Sequence, residues 1–131
     1  MTDAGSAGAQ ERRNVEVGGS IGSYSSAVVA GGFCFVSGQA ALDPSGQKID
    51  AGIADQTRST IRNMESVLRA AGYELRDVVK VNCYLSDMDD WSVMDEVFRE
   101  YFGDHPPARA TVRADLIYGC LVEMESVAWK P

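Results

Sequence analysis

The sequence is poor in the residues that build metal sites and disulfide frameworks. Its 131 residues include one histidine and three cysteines, and the cysteines are far apart and form no Cys-x-x-Cys pair. A structural zinc site needs about four Cys or His ligands, and a disulfide framework needs paired cysteines. We therefore expect no metal and no disulfide, and we interpret Cys34, Cys83 and Cys120 as reduced thiols of the core.

The chain also lacks a basic cluster and a long apolar run. It has 12 Lys and Arg against 19 Asp and Glu, for a formal charge of -7, and this balance opposes binding to a phosphate backbone. No run approaches the ~20 apolar residues that cross a bilayer, and the first residues, MTDAGSAGAQER, contain no apolar signal segment. We expect no nucleic-acid partner, no membrane partner and a cytoplasmic location.

Composition indicates one globular domain, since the chain is 45% hydrophobic and 24% charged. Residues 1–13 are small, polar or charged, and such a composition does not offset its ordering entropy. We therefore expect a disordered tail at 1–13 and a single domain at 14–131.

Residue periodicity predicts the elements in the order β-β-β-α-β-α-β-β. Strands are expected at about 15–18, 27–30, 33–37 and 78–87, the second and third forming a hairpin around two glycines. Apolar residues at three- and four-residue steps predict helices at 53–71 and within 89–103. Two amphipathic helices covering one face of a largely antiparallel sheet give an α/β sandwich of the α+β type.

The last two predicted strands, within His105–Lys130, were the most informative stretch. We expect a hairpin around a loop at 116–120, with small or apolar residues facing the core at even positions: Ala110, Val112, Ala114, Val122, Met124, Ser126 and Ala128. The other side then carries Arg109, Thr111, Arg113, Glu123 and Glu125 beside Leu121, Val127 and Trp129. Two interpretations of this side remain open. One is an interface that contains a polar pocket. The other is a solvated face with cross-strand pairs, in which Arg113 lies opposite Glu123 and Thr111 opposite Glu125.

Six collinear motifs within residues 15–129 resemble the Rid family, also called the YjgF family: IGSYSSAV, FVSGQAALDPSG, DQTRSTIRNMESVLRAAG, DVVKVNCYLSDMDDW, EYFGDHPPARATV and VEMESVA. The resemblance implies a chorismate-mutase-like fold that assembles as a homotrimer, with a central barrel and clefts between subunits. It also implies hydrolysis of reactive 2-enamino or 2-imino acids to 2-keto acids and ammonia, with no cofactor.

The resemblance also implies roles for individual residues. Arg109 would hold the substrate carboxylate through a bidentate fork, and Glu123 would activate the attacking water. Tyr24 would shape the cleft, with a buried structural tyrosine as the alternative. Ser37 and Gly38 correspond to a Ser-Gly-Gln turn that borders the cleft.

Four positions depart from the pattern that the family often shows. Ser23 replaces a proline, Asp95 replaces an asparagine, and Ala110 and Thr111 replace a Ser-Cys pair, so that Thr111 takes the place of a cleft cysteine. Asp95 is the most consequential, because a carboxylate near the site would repel an anionic substrate unless it is paired or protonated. Its alternative is a solvent-facing helix position.

Three functions remain open from the sequence. The first is an imine or enamine deaminase, which requires both Arg109 and Glu123. The second is a non-catalytic trimeric module that binds small carboxylates, which requires only Arg109. The third is a family member redirected to another reaction. A ribonuclease activity is disfavoured by the acidic charge of the chain.

Overall fold

The computed structural model describes residues 11–19 and 22–131. Six strands form one sheet in the order β1-β2-β3-β6-β4-β5. The strands are β1 (Arg13–Val15), β2 (Ala27–Ala30), β3 (Phe33–Ala40), β4 (Val78–Leu85), β5 (Ala108–Arg113) and β6 (Val122–Trp129), and the two α-helices are α1 (Ile53–Ala70) and α2 (Trp91–Phe102). This mixed α+β architecture agrees with the predicted class.

The N-terminal prediction is only partly correct. Residues 1–10 of the predicted tail lie outside the described residues, whereas Arg13 already belongs to β1, which pairs with β2. The Arg13 guanidinium donates a hydrogen bond to the Ala71 carbonyl at 2.9 Å. That bond holds the start of β1 against the end of α1. Because the residues that pair with β2 are Arg13–Val15, the first strand lies at 13–15 rather than at 15–18.

The predicted β2–β3 hairpin is confirmed. Ala30 pairs with Phe33 across the two-residue turn, and Gly31 and Gly32 have φ angles of 58° and 84°. A two-residue turn with positive φ at both central positions matches the right-handed twist of the strands, and glycine adopts it without strain.

The two helices occupy their predicted positions and cover one face of the sheet. Each one connects parallel strands, α1 between β3 and β4 and α2 between β4 and β5, and right-handed crossovers place both on the same side. The core lies between helices and sheet. Its fully buried side chains include Ile61, Met64, Leu68, Val81, Leu85, Met94, Val122 and Met124.

The predicted C-terminal hairpin is wrong. β5 pairs in parallel with β4, whereas β6 lies between β3 and β4 and is antiparallel to both. The reason is that β4, α2 and β5 form a strand-helix-strand unit, whose two strands are parallel neighbours. Arg113 therefore lies beside Leu85 and Glu123 beside Tyr84, and the cross-strand pairs proposed from the sequence do not exist.

This topology changes which side chains share a face. The prediction holds for β6, where Val122, Met124, Ser126 and Ala128 are buried. It fails for β5, where Arg109 and Thr111 lie beside the buried Val81 and Cys83, on the helix side.

On β5 the side chains of Ala110 and Val112 are instead exposed, on the side of the sheet that the helices leave uncovered. This side, which we call the open face, also carries Tyr84, Glu123 and Glu125. Arg109 and Glu123 consequently point to opposite faces of the sheet.

A smaller correction concerns the start of β4. Strict alternation along this strand predicts Val79 on the face of Val81 and Val78 on the other face, whereas Val78 is buried with Val81 and Val79 is exposed. The pairing of β4 with β6 shifts between Val78 and Lys80, and this irregularity displaces the alternation by one residue.

Candidate functional site

Glu123 is the most unusual carboxylate of the open face. Its side chain is half-buried on the central strand β6, and burial raises the pKa of the carboxyl, with the nearby Glu125 adding a repulsive contribution. Among the described residues, none forms a hydrogen bond or an ion pair with the Glu123 carboxylate. A desolvated, unpaired carboxylate with a raised pKa is suited to accept a proton.

Gly38 leaves room for this carboxylate. A Cβ atom built at Gly38 would overlap with Oε2 of Glu123 and lie 3.2 Å from its Cδ. Ser37 and Gly38 do not form the expected turn, since they lie inside β3 at an irregularity in its pairing with β6, between Val36 and Gln39. Such a bulge re-aims side chains locally, and here it brings the backbone of β3 against the Glu123 side chain.

Tyr84 is a member of this site that the sequence did not identify. It lies beside Glu123 on the open face, and its hydroxyl donates a hydrogen bond to Oε1 of Glu125. That bond raises the pKa of Tyr84, with burial as a further cause. The signal available in the sequence was the alternation of β4, which places Tyr84 on the face away from the core.

Tyr24 lies in the segment that precedes β2. Its side chain is 48% exposed, so the interpretation as a buried structural tyrosine is wrong. The next residue, Ser25, accepts a hydrogen bond at 2.6 Å from the Ser37 hydroxyl through its carbonyl oxygen. The backbone that follows Tyr24 is therefore tethered to Ser37 in the irregular part of β3, and about half of the Tyr24 side chain is exposed.

Arg109 occupies a different environment, on the helix side of the edge strand β5. Its guanidinium carbon lies 4.5 Å from the centre of the Phe98 ring and 5.4 Å from the Trp91 ring. Cation–π contacts of this kind orient a guanidinium. Both aromatic residues belong to α2, and no local pattern in the sequence connects them with Arg109.

Asp95 forms an ion pair with Arg109, at 2.9 Å between Oδ1 and Nη2. Its side chain is 23% exposed, so the alternative of a solvent-facing position is wrong. Thr111 also lies on the helix side, beside Cys83. The structure thus brings Arg109 and Asp95 together and gathers Glu123, Gly38 and Ser37 elsewhere.

The two groups are too far apart to act on one small molecule within one chain. Glu123 lies beside Tyr84, Tyr84 lies beside Val112, and Arg109 is on the same strand as Val112. Two strand spacings of about 4.8 Å and three residues of about 3.3 Å place the Cα atoms of Arg109 and Glu123 about 14 Å apart. Their side chains also leave the sheet on opposite sides.

Residues 11–19 and 22–131 contain neither a metal-binding cluster nor a membrane-spanning helix. No cluster of His, Cys, Asp and Glu side chains there could hold a metal ion. Of the helices in these ranges, none combines the length and apolar content that a bilayer-spanning segment needs.

The cysteines lie in the core as predicted. All three are buried and none forms a disulfide. Burial raises the pKa of each thiol, for Cys83 to about 12. A nucleophilic cysteine requires the thiolate, which these environments disfavour.

We therefore predict that thiol modification leaves activity unchanged. Iodoacetamide treatment of the folded protein should preserve the rate of imine hydrolysis, measured after confirming the extent of labelling by mass spectrometry. Stoichiometric inactivation that a bound 2-oxo acid prevents would contradict this prediction, because it would place a reactive cysteine in the site.

Comparisons with known proteins identify the class. A family described as Endoribonuclease L-PSP matches residues 16–130. A RutC family protein of Pyrococcus horikoshii is 46% identical over 112 residues, which cover 84% of this chain and 89% of the relative. The human protein named 2-iminobutanoate/2-iminopropanoate deaminase is 38% identical over 112 residues, or 84% of this chain and 82% of that protein.

The fold is similar to that of solved structures as well. A crystal structure from Thermotoga maritima, described as a candidate endoribonuclease, has a TM-score of 0.87 and 40% identity, covering 91% of this chain and 98% of that one. Fold and sequence together define an α+β protein of the Endoribonuclease L-PSP class. The chain belongs to this family, the YjgF/Rid family, as its motifs predicted. Relatives named as imine deaminases, at 37–38% identity, support a Rid-family deaminase activity.

Proposed function

We propose that the protein hydrolyses 2-imino and 2-enamino acids to 2-oxo acids and ammonia, in clefts between the subunits of a homotrimer. The observation that carries this proposal is the half-buried Glu123 carboxylate, whose pKa is raised and which has no cationic partner among the described residues. A purely structural carboxylate at such a position would be expected to be paired. The names of the human and rodent relatives support the same reaction.

In the proposed mechanism, Arg109 binds the substrate carboxylate and Glu123 accepts a proton from water. The water oxygen attacks C2 of the iminium group, C2–O forms, and the C=N double bond becomes a single bond. Glu123 returns this proton to the nitrogen. The C–N bond then breaks as the hydroxyl oxygen forms the C=O bond with C2, and Glu123 accepts the hydroxyl proton. This proton passes to the departing ammonia, which leaves as ammonium, and the 2-oxo acid is the other product. This sequence consumes one water and needs neither a metal nor a redox cofactor.

The distance between the two residues supports the shared cleft. Because Arg109 and Glu123 of one chain lie about 14 Å apart on opposite faces of the sheet, a small substrate must take them from different chains. Arg109 is on the edge strand β5, where a neighbouring chain can approach it. Glu123 is on the open face, which the helices leave uncovered.

The homotrimer is proposed from the apolar side chains of the open face. Phe33, Phe35, Val112 and Trp129 are 41%, 47%, 50% and 45% exposed. Phe33 lies beside Trp129, and Phe35 lies beside Val127. Trp129 and Val127 are on the same side of β6 as Glu123 and Glu125. An exposed apolar cluster such as Phe33, Phe35 and Trp129 is typical of an interface between copies.

We predict a trimer in solution. Light scattering should give three times the 14.1 kDa mass of one chain. Phe35→Asp should dissociate the trimer, because it introduces a charge into the proposed interface. Val93→Asp is the matched control, since Val93 is 39% exposed on α2 and should leave the mass unchanged. A stable wild-type monomer at micromolar concentration would eliminate the shared cleft.

The proposed reaction is tested by coupling the protein to an amino-acid oxidase. The oxidase releases the imine of 2-aminobutyrate, semicarbazide traps the imine that remains, and the trapped fraction is followed over time. Addition of the protein should reduce the trapped fraction in proportion to its concentration. An unchanged fraction with purified trimer would reject the deaminase.

A further inference from the structure

The Asp95 carboxylate lies between two guanidinium groups. Its Oδ1 is 2.9 Å from Nη2 of Arg109, and its Oδ2 is 3.1 Å from Nη2 of Arg99. The Arg109 side chain is 15% exposed, the Asp95 side chain 23%, and the Arg99 side chain 69%. Asp95 is therefore a fixed negative charge against Arg109, whereas Arg99 is mostly in solvent.

Arg109 remains able to bind a ligand in this arrangement. Asp95 contacts one terminal nitrogen of its guanidinium, and the rings of Phe98 and Trp91 lie over the group at 4.5 Å and 5.4 Å. A guanidinium offers several further N–H donors in a rigid plane. The aromatic rings orient this plane, so that Asp95 is not its only support.

We propose that Asp95 is a specificity-determining residue that acts through Arg109 and limits the site to substrates with a single negative charge. This inference rests on the proposed binding of the substrate carboxylate by Arg109. Two guanidinium groups and one carboxylate leave a single net positive charge, which matches one carboxylate of a ligand. A second carboxylate meets the repulsion of Asp95 without a further cation of this cluster to offset it.

The isosteric substitution Asp95→Asn separates charge from orientation. Asparagine keeps the size of the side chain and an oxygen that accepts a hydrogen bond from Arg109, but it removes the negative charge. The repulsion between partly exposed charges several ångströms apart corresponds to a factor of about three to ten in affinity. Asp95→Asn should therefore lower the Kd of a 2-oxo acid by this factor.

The kinetic signature distinguishes this role from a structural one. Because the repulsion acts on the substrate carboxylate equally in the ground state and in the transition state, Asp95→Asn should lower KM and leave kcat unchanged. A residue that only holds Arg109 in place would show the opposite effect, with a higher KM for the variant.

Discrimination between charges is measured with two ligands of the same shape. 2-Oxoglutarate and 5-methyl-2-oxohexanoate differ in that an isopropyl group replaces the second carboxylate. Calorimetric titration of the trimer with each ligand gives a ratio of Kd values. Asp95→Asn should bring that ratio about two- to fivefold closer to unity. Glu96→Gln is the control, since Glu96 is the adjacent, exposed acid of α2, and it should leave the ratio unchanged.

The outcomes separate this inference from the proposed function. Two results with Asp95→Asn would overturn the role of Asp95: weaker binding of both ligands, or no change in either Kd or in their ratio. If Arg109→Lys weakens ligand binding in the same experiment, the deaminase stands. An equal response to Glu96→Gln also overturns it, because the effect would then reflect total charge. Ligand binding that does not depend on Arg109 overturns both proposals.

Discussion

Replacing Glu123 by Gln should lower kcat about 10²–10⁴-fold and leave the Kd of 2-oxo acids nearly unchanged, because the substitution keeps the size of the side chain and removes the base. The position favours a large effect, since the carboxylate is half-buried, has no cationic partner among the described residues and is pressed against Gly38. Single-turnover hydrolysis of the oxidase-generated imine measures the loss, and light scattering verifies the assembly of the variant.

The pH profile should identify Glu123 as the group that titrates. The pKa of its carboxyl is raised above the ordinary 4.5 by burial and by Glu125, and the ionised form is the active base. The rate should therefore fall as the pH decreases through that raised pKa. The pH profile of kcat is the relevant one, because kcat reports the pKa of Glu123 in the complex with substrate. In that complex the substrate carboxylate neutralises the charge of Arg109.

Glu125→Gln is the control on the same strand. Glu125 is bound to the Tyr84 hydroxyl and contributes repulsion to Glu123. Its neutralisation should keep most of kcat and move the acidic limb of the profile to lower pH. An acidic limb that Glu125→Gln does not move, together with a wild-type kcat for Glu123→Gln, would assign proton transfer to another group.

The elements of the fold could be predicted from the sequence because each depends on local pattern. The apolar periodicity of α1 and α2 and the glycine pair at 31–32 specify short-range geometry, and these predictions are confirmed. The partner of β5 could not be read from alternation, because alternation shows which side of a strand is buried but not which strand lies beside it. The connection through α2 was the available signal, since it favours parallel pairing of β4 and β5.

The candidate site could be predicted as a set of residues but not as a spatial arrangement. The motifs point to Arg109 and Glu123, and the assignment of their roles remains a prediction. Their placement on opposite faces depends on the insertion of β6 between β3 and β4, a long-range arrangement that no local pattern encodes. The same holds for the contacts of Arg109 with Asp95 and Phe98, which join two elements that lie side by side only in the folded chain.

Replacing Arg109 by Lys should lower kcat/KM by roughly ten- to more than a hundredfold, because a charge-assisted bidentate contact contributes about 1.5–3 kcal/mol. Lysine retains the positive charge but loses the planar fork that engages both carboxylate oxygens. It also loses the contact between the guanidinium and the Phe98 ring, so that the remaining ammonium is less well oriented.

The loss should appear in substrate binding, as a raised KM and a raised Kd for 2-oxo acids, and this distinguishes Arg109 from Glu123. Arg113→Lys is the matched control, because Arg113 is an exposed arginine of the same strand and its replacement should leave both constants unchanged. If Arg109→Lys and Glu123→Gln both assemble as trimers and hydrolyse imino acids at the wild-type rate, the proposed mechanism is wrong. Arg109 would then serve to join β5 to α2 through Asp95 and Phe98, and the open face would contribute only to assembly.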